Sequence, residues 1–328
     1  MNTTFKRWTS GLVVSVTAWV AQAGVLPGPL VDTQWLAANA DKVQIIEVRG
    51  NAKSFTGTPE IAVDAKGKKT IEELAGHIPG ALLVDAKKMR VDRKYGDLTV
   101  KYMIPEAADF EKYVRAAGIV AGKPMVLVPV GAEVADINDA LRMYWQLKVY
   151  GEEDMAVLDG GYTAWLLEGR AWSKDAPPAA AGNWRAKADR LAQYFASSED
   201  VAKAIQEKSA TLVDSRDAPL FHGLVKRDYV FGAGHLEGAK LYPTDLMFRN
   251  SGGALKFLAP ATYRSLLAAQ GINDKAAAIT YCNSGHLSSG PWFLMSEVLG
   301  NSQVKLYDGS LHQWTLEKRP LAGAVPLQ

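Results

Sequence analysis

The chain has 328 residues, 48% of them hydrophobic and 22% charged, with 37 Lys and Arg against 35 Asp and Glu. At roughly 100–200 residues per domain this points to two globular domains, and it excludes a disordered or collagen-like chain. The near-neutral balance excludes a nucleic-acid binder that works through bulk charge, and one cysteine, Cys282, excludes an intrachain disulfide or a cysteine-held metal cluster.

The chain opens with Lys6 and Arg7, an apolar stretch from Gly11 to Val20, and Ala21-Gln22-Ala23. A basic start, a short apolar run and an A-x-A site read as a secretory signal peptide over residues 1–23. The run is too short for a membrane span. Without Lys6 and Arg7 the charges are 35 against 35. The expectation is an exported protein, periplasmic in a Gram-negative cell, with no membrane span in its mature form.

The remainder repeats itself once. Ile45-Ile-Glu-Val-Arg49 matches Thr211-Leu-Val-Asp-Ser-Arg216 as an apolar strand ending in acid-x-Arg. Gly76-His-Ile-Pro-Gly-Ala81 matches Gly234-His-Leu-Glu-Gly-Ala239. Pro105 to Gly118 matches Pro260 to Gly271, each predicted as a Pro-started helix closed by Gly. Met125–Val128 matches Ala278–Tyr281 as a short buried strand, and Val157 to Trp165 matches Lys305 to Trp314 around Asp-Gly. The offset shrinks from 167 to 158 to 149 residues, so the first copy carries the longer late loops. Between the copies, residues 173–182 are rich in Pro and Ala and read as an extended linker. Residues 24–172 and 183–328 then form two domains. Each alternates short strands with helices, the pattern of an α/β fold with a mainly parallel sheet flanked by helices.

Cys282 follows the strand that ends at Tyr281, and a loop, Asn283-Ser-Gly-His-Leu-Ser288, leads to an apolar helix expected from about Pro291 to Gly300. Ligands of open α/β sheets bind outside the carboxyl ends of strands. Small loop residues let consecutive N–H groups turn inward, and the helix start adds positive potential. Both favour negative charge on the sulfur. A lone cysteine is most often a small buried hydrophobe. The polar neighbours here favour a reactive one.

These residues resemble two-domain rhodaneses, the thiosulfate and 3-mercaptopyruvate sulfurtransferases, over about Gly24 to Pro326. The markers are Asp214-Ser-Arg216, Gly234 to Ala239, the Cys282–Ser288 loop, and Tyr307-Asp-Gly-Ser310 with Trp314. The resemblance implies tandem rhodanese-like domains, of which only the second keeps the cysteine. The matching spot in the first is Pro129 to Val134, without a thiol, so that half walls the cleft. It further implies that Cys282 takes sulfur from a small-molecule donor as a persulfide and passes it to cyanide, a thiol or a protein acceptor. Asn283, Ser284, Gly285, His286, Leu287 and Ser288 would cradle the sulfur. The family Arg four residues after the acid-x-Arg motif is Leu220 here, so Lys226, Arg227 or Arg249 is expected to hold the donor anion. Small residues after Cys282 favour mercaptopyruvate, whereas Cys-Asn-small-Gly also resembles small exported rhodaneses that use thiosulfate. His286 is available to add positive charge below about pH 6.5.

Asp214 and Arg216 read as a supporting ion pair, and His77 and His235 as structural. No His/Asp/Glu spacing suits a metal and no nucleotide-binding glycine motif occurs, so no cofactor is expected. A cysteine phosphatase needs Arg six positions after the cysteine, and Ser288 stands there. Two further readings compete with a small-molecule enzyme: a non-catalytic binding module, and a sulfur carrier that serves a protein partner.

Overall fold

A computed structural model describes residues 25–177 and 180–326. The expected signal peptide, and Pro178 and Ala179 of the expected linker, lie outside the described residues.

Two five-stranded parallel sheets carry the fold, and they have the same strand order. In the first, Leu30–Val31, Met155–Leu158, Met125–Pro129, Gln44–Arg49 and Leu82–Asp85 lie side by side. In the second the order is Phe195–Ala196, Val304–Tyr307, Ala278–Tyr281, Thr211–Asp214 and Lys240–Leu241. The long central strands are buried on both faces, as Gln44–Arg49 is along its whole length. That follows from helices covering each side of a parallel sheet.

The duplication extends to single contacts. His77 stacks on Phe55 with ring centroids 3.9 Å apart, and His235 on Phe221 at 3.7 Å. Arg49 and Arg216 each pair with the acid two residues earlier, and each donates to a glycine carbonyl, Gly76 and Gly234. Trp165 and Trp314 each donate their indole N–H to the chain six residues on.

Two elements differ from expectation. The first Pro-started helix runs Ala107–Ala116, with Pro105 outside it and the cap Glu106 extended, whereas Pro260 does open the second, Pro260–Ala269. The helix after the cysteine loop starts at Ser289, and after Phe293 it widens into a π-turn over Leu294–Val298. The connector is tied to the first domain. Gly182 N–H donates to Arg115 O at 2.8 Å, and Trp184, wholly buried, donates to Glu152 at 3.0 Å.

Helix Val134–Val149 of the first domain lies between its own sheet and helix Ser289–Phe293 of the second. Its residues from Ala140 to Val149 are buried on every side for that reason. Tyr144 meets Phe293 edge-on at 5.0 Å, and one continuous apolar core runs through both domains. The hairpins cross the junction reciprocally. Ile104, following hairpin Val91–Met103, donates its N–H to Asp308 at 2.7 Å, and Phe257 of hairpin Phe248–Phe257 donates to Asp159 at 2.8 Å.

Candidate active site

Cys282 sits at the carboxyl end of the middle strand of the second sheet and is 2% exposed. The Ser310 hydroxyl shapes the loop beyond it. That hydroxyl accepts from the N–H groups of Cys282 and Gly285, each at 3.1 Å, and donates to Tyr307 O at 2.8 Å. Helix Ser310–Leu316 adds its first amides: Leu311 N–H reaches Cys282 O and His312 N–H reaches Asn283 O. So two of the loop amides expected to face the ligand are spent on Ser310. The Cys282 sulfur accepts from Ser284 N–H at 3.5 Å and from the Ser288 hydroxyl at 3.7 Å. The N–H groups of His286, Leu287 and Ser288 meet no acceptor among the described residues. Gly285 has φ +72°, and a Cβ there would stand 2.6 Å from Asp308 O and 2.8 Å from Arg142 Nη1.

The sulfur opens on a cavity of about 250 Å³. Cys282, Asn283, Ser284, His286 and Leu287 line it from the loop, and Arg227, Tyr229 and Ala135 close its walls. Ala135 begins a series on one helix of the first domain. Arg142, further along, pairs with Asp308 at 2.5 Å and donates to Gly285 O at 2.9 Å. Between them, Asp139 Oδ1 lies 2.9 Å from His286 Nε2. Burial pushes the His286 pKa below its usual 6.5, against the pull of Asp139, so the positive charge available to it is confined to more acid pH.

Arg90, also from the first domain, points Nη1 at Ser284 O at 3.5 Å and lies over the Tyr102 ring at 5.1 Å. Its pKa is lowered by burial and by Arg142, while Asp139, Asp308 and the Cys282 sulfur pull it up. Burial raises the Tyr229 phenol, which stands beside Ser284, so it is a proton-bearing donor at neutral pH.

Arg227 is the one expected donor-site cation that lines this cavity, and it is exposed. Lys226 is exposed and does not line it. Arg249 lies on the hairpin that crosses away toward Asp159, near the cysteine-free loop of the first domain. The reciprocal hairpins explain the exchange: Arg90, just before the first domain's hairpin, is the cation brought to Cys282. Leu220 is buried, 5% exposed, and supplies no charge. Asp214 and Arg216 are buried together beneath the sheet end and touch no cavity atom. Among the described residues no group of three His, Cys, Asp or Glu could hold a metal, and no helix is long and apolar enough to cross a membrane.

The family model for the rhodanese-like domain matches residues 32–168 and 197–317, and the chain belongs to that family. It is 30% identical to a protein of Saccharopolyspora erythraea provisionally named a thiosulfate sulfurtransferase, over 91% of this chain and 95% of that one. It is 28% identical to the sulfur carrier protein TtuD of Thermus thermophilus, over 88% and 94%. Among solved structures, SseA of Escherichia coli, described as a 3-mercaptopyruvate sulfotransferase, superposes with a TM-score of 0.69 at 24% identity, over 86% of this chain and 98% of that one. At that identity the superposition speaks for the fold alone.

Proposed function

We propose that this chain is a sulfurtransferase that moves sulfane sulfur from thiosulfate to a thiophilic acceptor through a persulfide on Cys282. One observation carries the reading: the single thiol lies at the floor of a cavity with donors on its sulfur and arginines from both domains about it. The thiolate attacks the outer sulfur of the donor, and the S–S bond breaks with its electron pair leaving on sulfite. The unpaired N–H groups of His286, Leu287 and Ser288 and that of Ser284 then serve the anionic outer sulfur. Arg90 and Arg227 hold the donor's sulfonate in place of the arginine that Leu220 lacks. Asn283-Ser284-Gly285 favours 3-mercaptopyruvate as a second donor, with pyruvate leaving, and the likeness to TtuD supports a protein acceptor.

Such covalent transfer gives ping-pong kinetics. Initial rates with thiosulfate and cyanide varied together should give parallel reciprocal plots, with turnover abolished in Cys282→Ser. Intersecting plots, or turnover that survives Cys282→Ser, would contradict the mechanism. Running 3-mercaptopyruvate beside thiosulfate ranks the donors.

Export belongs to the same proposal. Lys6-Arg7, the apolar run and Ala21-Gln22-Ala23 support cleavage after Ala23 and a periplasmic site of action. N-terminal sequencing of protein from the periplasmic fraction should read from Gly24; uncleaved protein confined to the cytoplasm would refute it.

A further inference from the structure

His286 and Asp139 form a cross-domain pair that sulfur transfer from thiosulfate does not itself require. Asp139 Oδ1 lies 2.9 Å from His286 Nε2, with side-chain exposures of 15% and 18%. A carboxylate only accepts, so Nε2 carries the hydrogen and Nδ1 keeps its lone pair. Nδ1 has no partner among the described residues and is not one of the sealed, unpaired atoms. The ring lines the same cavity as the Cys282 sulfur. The groups around it are Asp139, Arg90 and Arg142 from the first domain, and Cys282, Arg227 and Tyr229 across the cavity. Burial and the two first-domain arginines outweigh Asp139 and keep the ring neutral.

From this geometry we infer that the acceptor is a protonated thiol, that His286 relays its proton, and that Asp139 positions the ring for that task. The inference rests on the sulfur-transfer reading and concerns its second half. A thiol of ordinary pKa is only about 3% thiolate at pH 7, so a base near the persulfide matters. The thiol S–H passes its proton to Nδ1, and the thiolate sulfur bonds to the outer sulfur of the Cys282 persulfide anion. The S–S bond breaks with its pair returning to the Cys282 thiolate. Nδ1 then gives the proton to the transferred sulfur, and the product leaves as a persulfide, R–S–SH. Atoms and charge balance without an outside oxidant. His286 is catalytic in this step, and Asp139 is a positioning residue.

The test starts from persulfide already formed on the full chain and verified by mass, so that donor rates do not enter. Single-turnover discharge is followed with 2-mercaptoethanol and, separately, with sulfite, which carries little proton at pH 8. In the wild type the thiol rate should be nearly flat between pH 7 and 8.5. In His286→Gln it should rise about tenfold per pH unit, with the thiol-to-sulfite rate ratio at pH 8 down at least tenfold. Added imidazole should restore part of the loss. Asp139→Asn should show the same pH slope and Asp139→Glu should recover it, which a purely structural role would not produce. An unchanged ratio and slope in both His286→Gln and Asp139→Asn overturns the inference while leaving sulfur transfer standing. Failure of the wild type to form persulfide overturns both.

Discussion

Arg142 Nη1 stands 2.5 Å from Asp308 Oδ1 at the junction of the two domains, and neither side chain has any exposure. The same guanidinium holds Gly285 O at 2.9 Å, and Asp308 accepts Ile104 N–H at 2.7 Å. A pair formed wholly by the domain interface therefore sits directly under the cysteine loop. The cysteine-free domain thus helps to build the site.

Removing one partner of a buried pair leaves an uncompensated charge, which typically costs about 3–5 kcal/mol. Arg142→Ala should lower unfolding stability by about that amount in urea titrations. A change under about 1 kcal/mol would mean the pair contributes little beyond contact.

Gly285 meets both partners of that pair and has a left-handed backbone. Gly285→Ala should lose roughly 1–3 kcal/mol and displace the loop, so that kcat falls more than stability alone explains. Activity equal to wild type would show that the loop tolerates a Cβ.

Arg90 is the cation brought across from the first domain, whereas Arg249 is carried away. Hydrogen bonds to charged groups contribute about 1.5–3 kcal/mol, so Arg90→Ala should raise the thiosulfate KM at least tenfold. Arg249→Ala should leave it within twofold. The reverse ranking would overturn the assignment.

Duplication, fold class and the position of the thiol were legible in the sequence, because strand runs, Gly-His turns and Asp-Gly pairs recur in order. What the sequence hid lies across the interface. Asp139 and Arg142 are three residues apart on one helix, yet nothing local marks that this face meets the cysteine loop rather than solvent. Arg249 shares a domain with Cys282, but the crossing of the hairpins carries it away and makes Arg90 the neighbour. Ser310 was visible only as part of a repeated motif, since its role depends on a left-handed φ of +48° that turns its hydroxyl under the loop.

His286 and His312 both have pKa values lowered from 6.5 by burial. The unfolded chain then binds more protons than the folded one as pH falls below about 6.5, so stability should drop with acid in that range. Urea midpoints at pH 7.5, 6.5 and 5.5 test this. The decline should be shallower in His286→Gln, and an identical decline would assign it to other groups.

The whole mechanism turns on Cys282 carrying sulfur covalently. The most direct measurement is the intact mass of the protein after incubation with thiosulfate and removal of free donor. A gain of one sulfur atom should appear, absent in Cys282→Ser and lost again on adding cyanide. No gain with thiosulfate or with 3-mercaptopyruvate, or a gain that persists in Cys282→Ser, would contradict it.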